Sequence, residues 1–312
     1  MNPLLRFILR SLIRFVLTLV GVFILTFFVM MSVPGNPVLS RMERGVSAEQ
    51  LEALQRESSL SESPLEKMGI LAYRVFTLDF GKSLVTGEEV RSELVERLGN
   101  TFLLALLGCF FFLITGFSSA ILGTLCRGSL LDDLLTIVTT SFLSTPVFWF
   151  ALVLIYFFTI QWNLLPAMAS LQNPVSLLLP ALTVGLRPAA FFHKMLQQEL
   201  LDIRRKAFMQ VALAKGLSES QALVRHALKN AAGPAINIIG LEFGSLLTGA
   251  VVAETIFAYK GIGTYILQGI ESRDYNIIAA TVMVSAFAVM LVNLIVDIVH
   301  TILDPRLREE VQ

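Results

Sequence analysis

The run Asp79-Phe80-Gly81-Lys82-Ser83 ends as a phosphate-binding loop ends, with a glycine, a lysine and a hydroxyl that could cradle phosphate oxygens. That chemistry needs a further glycine five residues before Gly81, and Phe76 stands there with no buried strand ahead of it. The residues favour a turn at Gly81 followed by an exposed amphipathic helix to about Leu98. Metal chemistry fares no better, since His193, His226 and His300 lack neighbours at ligand spacing. Cys109 and Cys126 lie in one apolar run, 17 positions and therefore about 25 Å apart on a helix, too far for a disulfide. No nucleophile stands beside a base, and no carboxylates pair outside solvated loops. The chain is expected to be no enzyme and to bind no cofactor or metal itself.

The elements that must position the remaining polar residues are membrane helices. Of 312 residues 55% are hydrophobic and 15% charged, and the mean hydropathy is +0.72. That leaves too little polar material to cover a soluble globule of this size. Apolar runs at Phe15 to Val33, Asn100 to Leu125, Leu134 to about Trp162, about Val175 to Gln198, Ala231 to Ala258 and Asn276 to Leu303 each approach the roughly 20 residues that span a bilayer. The reading is an all-α integral membrane protein with six transmembrane helices. Arg6, Arg10 and Arg14 flank the first run as in a signal peptide, but its 19 uncharged residues exceed the usual length of about 7–15, so it is read as a retained anchor.

Lys and Arg in the short loops set the orientation. Arg127, the cluster Arg204, Arg205, Lys206, Lys215, Arg225 and Lys229, and the pair Arg306 and Arg308 fall in alternate segments with the N-terminus. Both termini are therefore predicted inside. The divisions are a cytoplasmic N-terminus and first helix (1–33), an extracytoplasmic loop (34–99), a five-helix core (100–303) with a cytoplasmic loop at 202–230, and a cytoplasmic tail (304–312).

Within that loop a helix from about Leu201 should stop near Lys215, with Gly216 in the left-handed conformation that ends helices. Ser218 and Gln221 then form a capping-box pattern that starts another. The second helix should end before Gly233, with Pro234 in the first turn of the fifth membrane helix. Val211-Ala212-Leu213-Ala214 is too apolar for a free surface and suits docking against a partner.

These residues carry a resemblance. "ALAKGLSESQALVRHALKNAAGPAINIIG" is similar to the EAA-type loop of ABC importer permeases, in the oligopeptide/dipeptide and nickel branch. "GAVVAETIFAYKGIGTYILQGIESRDY" resembles that branch's fifth helix and following loop, and "LVNLIVDIVHTILDPRLR" its last helix and tail. "LDFGKSLVTGEEV" with "ERLGNT" resembles the long outer loop of the first, B-type, of the two paired permeases. The resemblance implies a bacterial inner-membrane subunit partnered by a second permease, two cytoplasmic ATPases that bind ATP and Mg, an extracytoplasmic solute-binding protein and the lipid bilayer, with no nucleic acid. It implies that Ala212, Lys215, Gly216, Leu217 and Ser218 contact the ATPase. Gln210 and Leu213 stand where the family usually has basic residues, which bears on ion pairs there.

Several intramembrane residues are candidates for the pathway. Arg187 is alone in the fourth run, and an arginine at that depth should face a partner or water. Counted from helix ends at Gln198 and Gly233, Arg187 and Glu242 stand at matching depths and could pair or flank a pathway together. Glu254 and the last-helix stripe of Asn293, Asp297 and His300 complete the set. Gly240, Gly244 and Gly249 allow close helix packing, within the subunit or against the second permease. Peptides are the expected cargo. Nickel, glutathione or another small solute are alternatives within the branch, and an autonomous channel or secondary transporter is the alternative outside it.

Overall fold

A computed structural model describes residues 3–32, 64–83 and 85–303. The elements in chain order are α1 (Pro3–Ser32), α2 (Pro64–Thr77), α3 (Val90–Leu125), α4 (Leu130–Ser144) and α5 (Val147–Leu154), the last extended by a π-helical segment Ile155–Gln161. A 3-10 turn, Pro174–Leu177, leads into α6 (Leu178–Arg204), followed by α7 (Ala207–Ala214) and α8 (Glu219–Ala222). A π-helical segment, Leu223–Ala227, joins α8 to α9 (Leu228–Ile256), and α10 (Ile262–Ser272) and α11 (Tyr275–Leu303) follow. The first part of the predicted loop 34–99, up to residue 63, and the tail 304–312 lie outside the described residues.

Among the described residues, four stretches are long and apolar enough to cross a bilayer: Leu9–Val29, Val90–Leu125, Pro174–Arg204 and Tyr275–Val299. Two bent pairs raise the number to as many as six if each counts as one span. The third apolar run departs from its predicted single helix, because α4 and α5 meet at 111° across Thr145 and Pro146. Proline has no N–H to donate and excludes the helical conformation from its predecessor, so Thr145 sits at φ −82, ψ 129. The 15 residues of α4 rise only about 22 Å, short of the roughly 30 Å hydrocarbon core.

A second departure follows Gly81, whose turn is present at φ +69. The amphipathic helix predicted after it is present over 90–98, with Val90 and Leu94 buried, but it does not end at Leu98. Lys82 bridges Glu89, and α3 starts at Val90 and runs on for 36 residues. Nothing at Gly99 and Asn100 stops it, and the Asn100 side chain donates to the Lys260 carbonyl at 2.8 Å.

Chain contacts define two compact units. One, residues 12–101 and 260–290, is centred on Phe80, Val90, Leu94, Tyr265 and Ile277. In it Ser83 donates to Asp274 at 2.7 Å, and the Ile262 N–H that opens α10 is taken by the Thr101 hydroxyl at 2.8 Å. These contacts show Ser83 as a buried structural hydroxyl rather than a phosphate ligand.

The other unit, residues 1–11, 102–259 and 291–312, holds the candidate site. Its core runs from Phe112 and Ala120 on α3 through Phe192, Leu196 and Leu200 on α6 to Ala227 and Ala231. The seam between α3 and α6 is set by glycines. A Cβ on Gly185 would overlap the Gly108 carbonyl, one on Gly116 would lie 2.9 Å from Phe192 Cδ1, and one on Gly123 would lie 2.6 Å from Gln197 Nε2. Phe112 and Phe117 meet Phe192 edge-on at 5.3 and 4.7 Å between centroids. Gly185→Ala is therefore expected to destabilise the chain by about 1–3 kcal/mol, since neither backbone can withdraw from a packed crossing. The measurement is the melting temperature in detergent, with Gly69→Ala, at an open helical position where alanine gains about 1 kcal/mol of helix propensity, as the control that is not lowered.

Candidate functional site

The elbow between α6 and α9 is built from a helix stop and a helix start only a few residues apart. The helix α6 continues past the predicted end to Arg204, then breaks in a tight turn in which Arg205 and Lys206 donate to the Asp202 and Ile203 carbonyls. After α7, Gly216 takes the left-handed conformation, φ +87. Its N–H donates to the Leu213 carbonyl at 2.9 Å, and that of Leu217 to Ala212 at 3.3 Å. This double bond pattern satisfies the orphan carbonyls of a helix end. Ser218 then opens the next helix with the predicted capping box: its hydroxyl accepts from the Gln221 N–H at 3.3 Å, and its own N–H donates to Gln221 Oε1 at 3.2 Å.

The helix so begun does not stop before Gly233. It passes through the π-helical segment Leu223–Ala227 into α9, with Pro234 in the interior instead of the first turn. The register shift of a π segment and the Asn230 side chain, which donates to the His226 carbonyl at 2.8 Å, lie just upstream of the proline.

The run Val211–Ala214 divides by helical geometry, because successive residues are rotated by about 100°. Ala212 is 7% exposed and Met209 2%, and both belong to the core formed with Leu200, Ile203, Ala222 and Leu223. Ala212 is thus covered by its own chain and does not belong to an outward patch. Val211 at 53%, Phe208 at 40%, and Ala214, Lys215, Gly216 and Ser218 make up the open face, with Leu217 half-buried.

Behind the elbow lies a polar network that sequence reasoning missed. The buried Gln197 side chain donates to Asp132 Oδ1 at 2.9 Å. The Arg127 guanidinium and the Gly128 N–H donate to Asp132 Oδ2 at 3.2 and 3.0 Å. His193 Nδ1 and the Ser119 hydroxyl are 3.0 Å apart. Ser129, Asp132 and Asp133 at the head of an apolar run were the available signal, since Ser129 caps α4 by accepting from the Asp132 N–H.

Of the two arrangements expected for Arg187 and Glu242, a contact pair or a position side by side without contact, the first is not formed. Arg187, just before Pro188 in α6, is exposed, and Glu242 on the adjoining α9 is half-buried. The Arg187 guanidinium is within electrostatic reach of the Glu242 carboxyl, but no contact ion pair closes. Both helices run past the ends assumed for them, α6 to Arg204 and the helix that becomes α9 back to Glu219.

Glu254 is fully buried, and its carbonyl accepts from the Tyr259 N–H at 2.8 Å. Burial, and after it the Glu254 charge, push the Tyr259 phenol up to about 12. Glu254 is therefore enclosed by its own chain. Asn293 is exposed and Asp297 half-buried on α11. Gly240 packs within the subunit, where a Cβ would overlap Val296 of α11. Gly244 is buried, and Gly249 and His300 lie outside the residues whose surroundings are described.

An all-helical chain with several apolar spans and a doubly capped elbow between two of them agrees with what comparison finds. Residues 113–309, well over half of the chain, match the model of the family described as binding-protein-dependent transport system inner membrane component. The chain belongs to this family. It is similar to the di/tripeptide transport system permease protein DppB of Pseudomonas aeruginosa strain UCBPP-PA14, 32% identical over 98% of this chain and all of that protein. It is also similar to the dipeptide transport system permease protein DppB of Escherichia coli K12, at 29% identity over the same shares. A chain of the MetNI methionine ABC transporter, solved in inward facing conformations, superimposes with a TM-score of 0.52 over 70% of this chain and 96% of its own length. At 19% identity that likeness shows the fold alone; the family and the apolar helices make the chain a multi-pass membrane protein.

Proposed function

We propose that the chain is the first of two permease subunits in an ABC importer that takes up dipeptides or oligopeptides across the bacterial inner membrane. The observation that carries this reading is the elbow, whose caps hold an exposed face of Val211, Lys215, Gly216 and Ser218 between two membrane helices in a family member whose relatives are peptide permeases. Six spans, both termini inside and the loop of residues 34–99 outside put this elbow in the cytoplasm. There it docks in a cleft of an ATPase subunit. The chain itself transmits motion and lines the pathway, and ATP and Mg belong to two partner ATPases. An extracytoplasmic binding protein supplies the solute.

Arg187, Glu242 and Asn293 are the polar groups we assign to the pathway, together with Asp297 at its cytoplasmic end. An exposed arginine this deep in a span requires water or a partner around it. Glu254, enclosed in its own subunit, is assigned a structural role instead.

Purification of the tagged chain in mild detergent, with mass spectrometry of what accompanies it, tests the reading. A second permease and an ATPase are expected in the eluate. A lone chain that by itself moves solute down a gradient would exclude an importer subunit.

A further inference from the structure

The end of α6 carries a side chain that touches more elements than its own. Arg204 Nη2 donates to Glu219 Oε1 at 2.6 Å, and Nη1 to the Thr124 carbonyl at 3.4 Å. One guanidinium thereby links the last turn of α3, the last residue of α6 and the first residue of α8. Arg204 and Glu219 also line a small apolar cavity between α7, which contributes Met209 and Leu213, and Leu125 and Leu223. Thr124 is in turn held, its hydroxyl donating to the Ala120 carbonyl at 2.8 Å.

The fold does not depend on this clasp. Its two side chains are 33% and 56% exposed, and ion pairs so open to water add little to stability. The capping box, the left-handed Gly216 and the buried Met209 and Ala212 keep the elbow formed without it. What the clasp supplies is direction, because a planar guanidinium fork fixes the angle between the groups it joins in a way a point charge does not. The groups are the start of the helix that follows the exposed face and the end of a different span.

We infer that Arg204 is the positioning residue of the elbow, which Glu219 latches, so that displacement of the α7–α8 turn is passed to the end of α3. This inference rests on the proposed role of the elbow as the ATPase contact. It is tested in the complete importer reconstituted in proteoliposomes, with ATP hydrolysis measured alone and with its binding protein loaded with dialanine.

Arg204→Met and Glu219→Gln are each expected to leave recovery of the complex and its basal hydrolysis within about twofold of the unmodified importer. Stimulation by the loaded binding protein is expected to fall about fivefold or more, the usual scale of coupling between sites. The double variant should lose no more than Arg204→Met alone, because both changes break one link. Undiminished stimulation in the single variants, losses that multiply in the double, or failure of the complex to assemble would each overturn the inference. An unmodified complex that contains no ATPase would overturn the importer reading and the clasp with it.

Discussion

Gly216→Pro is expected to abolish solute-stimulated ATP hydrolysis while the chain still inserts in the membrane. Gly216 sits at φ +87, which proline, fixed near −65°, cannot reach. Proline also removes the N–H that donates to the Leu213 carbonyl, so both the dihedral and the bond that end α7 are lost. The penalty is about 3 kcal/mol or more, enough to displace a turn held mainly by its caps and the buried Met209 and Ala212. The membrane helices on either side keep their own cores and should be unaffected. A graded series checks the cause. Gly216→Asn should be nearly neutral, because asparagine tolerates the left-handed region, and Gly216→Ala should weaken coupling by an intermediate amount, the conformation costing about 1–2 kcal/mol with a Cβ. Equal activity of the proline and asparagine variants in a hydrolysis assay would show that the turn geometry is irrelevant to coupling.

That elbow was the most legible part of the sequence. Gly216, Ser218 and Gln221 are residues whose local chemistry admits few conformations, and each took the predicted one. Ala212 illustrates the opposite case: its run was read as one docking patch, but only packing decides which side of α7 faces the core, and Met209 and Ala212 took it. Helix ends were legible where a glycine or a cap marks them and not elsewhere. Arg204, Val90 and the passage through Pro234 have no such mark. Thr145-Pro146 did carry a signal, the restriction on a residue before proline, and the 111° break is its consequence. Gly108, Gly116 and Gly123, two turns apart along α3, mark the seam with α6 as clearly as the four-residue glycine spacing on α9, but on a longer period.

The second large effect concerns the intramembrane charges. Arg187→Glu and Glu242→Arg are each expected to lower dipeptide uptake by proteoliposomes tenfold or more, on the order of 1.4 kcal/mol in the rate-limiting step, with assembly retained. A reversed charge beside a pathway repels what its predecessor attracted, and at this depth the interaction is weakly screened. Because the two groups act on one another through space without contact, the double swap should recover only part of the loss. Full recovery would mean that a contact pair forms in another conformation of the cycle. Unimpaired uptake in both single variants would remove Arg187 and Glu242 from the pathway.

The claim on which the rest depends is that the exposed face of the elbow meets an ATPase. A photo-activatable phenylalanine analogue in place of Val211, which is 53% exposed, tests it directly in cells that express the whole importer. Illumination is expected to give a covalent adduct with the ATPase subunit, identified by mass, and the same analogue in place of the buried Ala231 is expected to give none. An adduct from Val211 with the extracytoplasmic binding protein, or no protein adduct at all, would contradict the assignment.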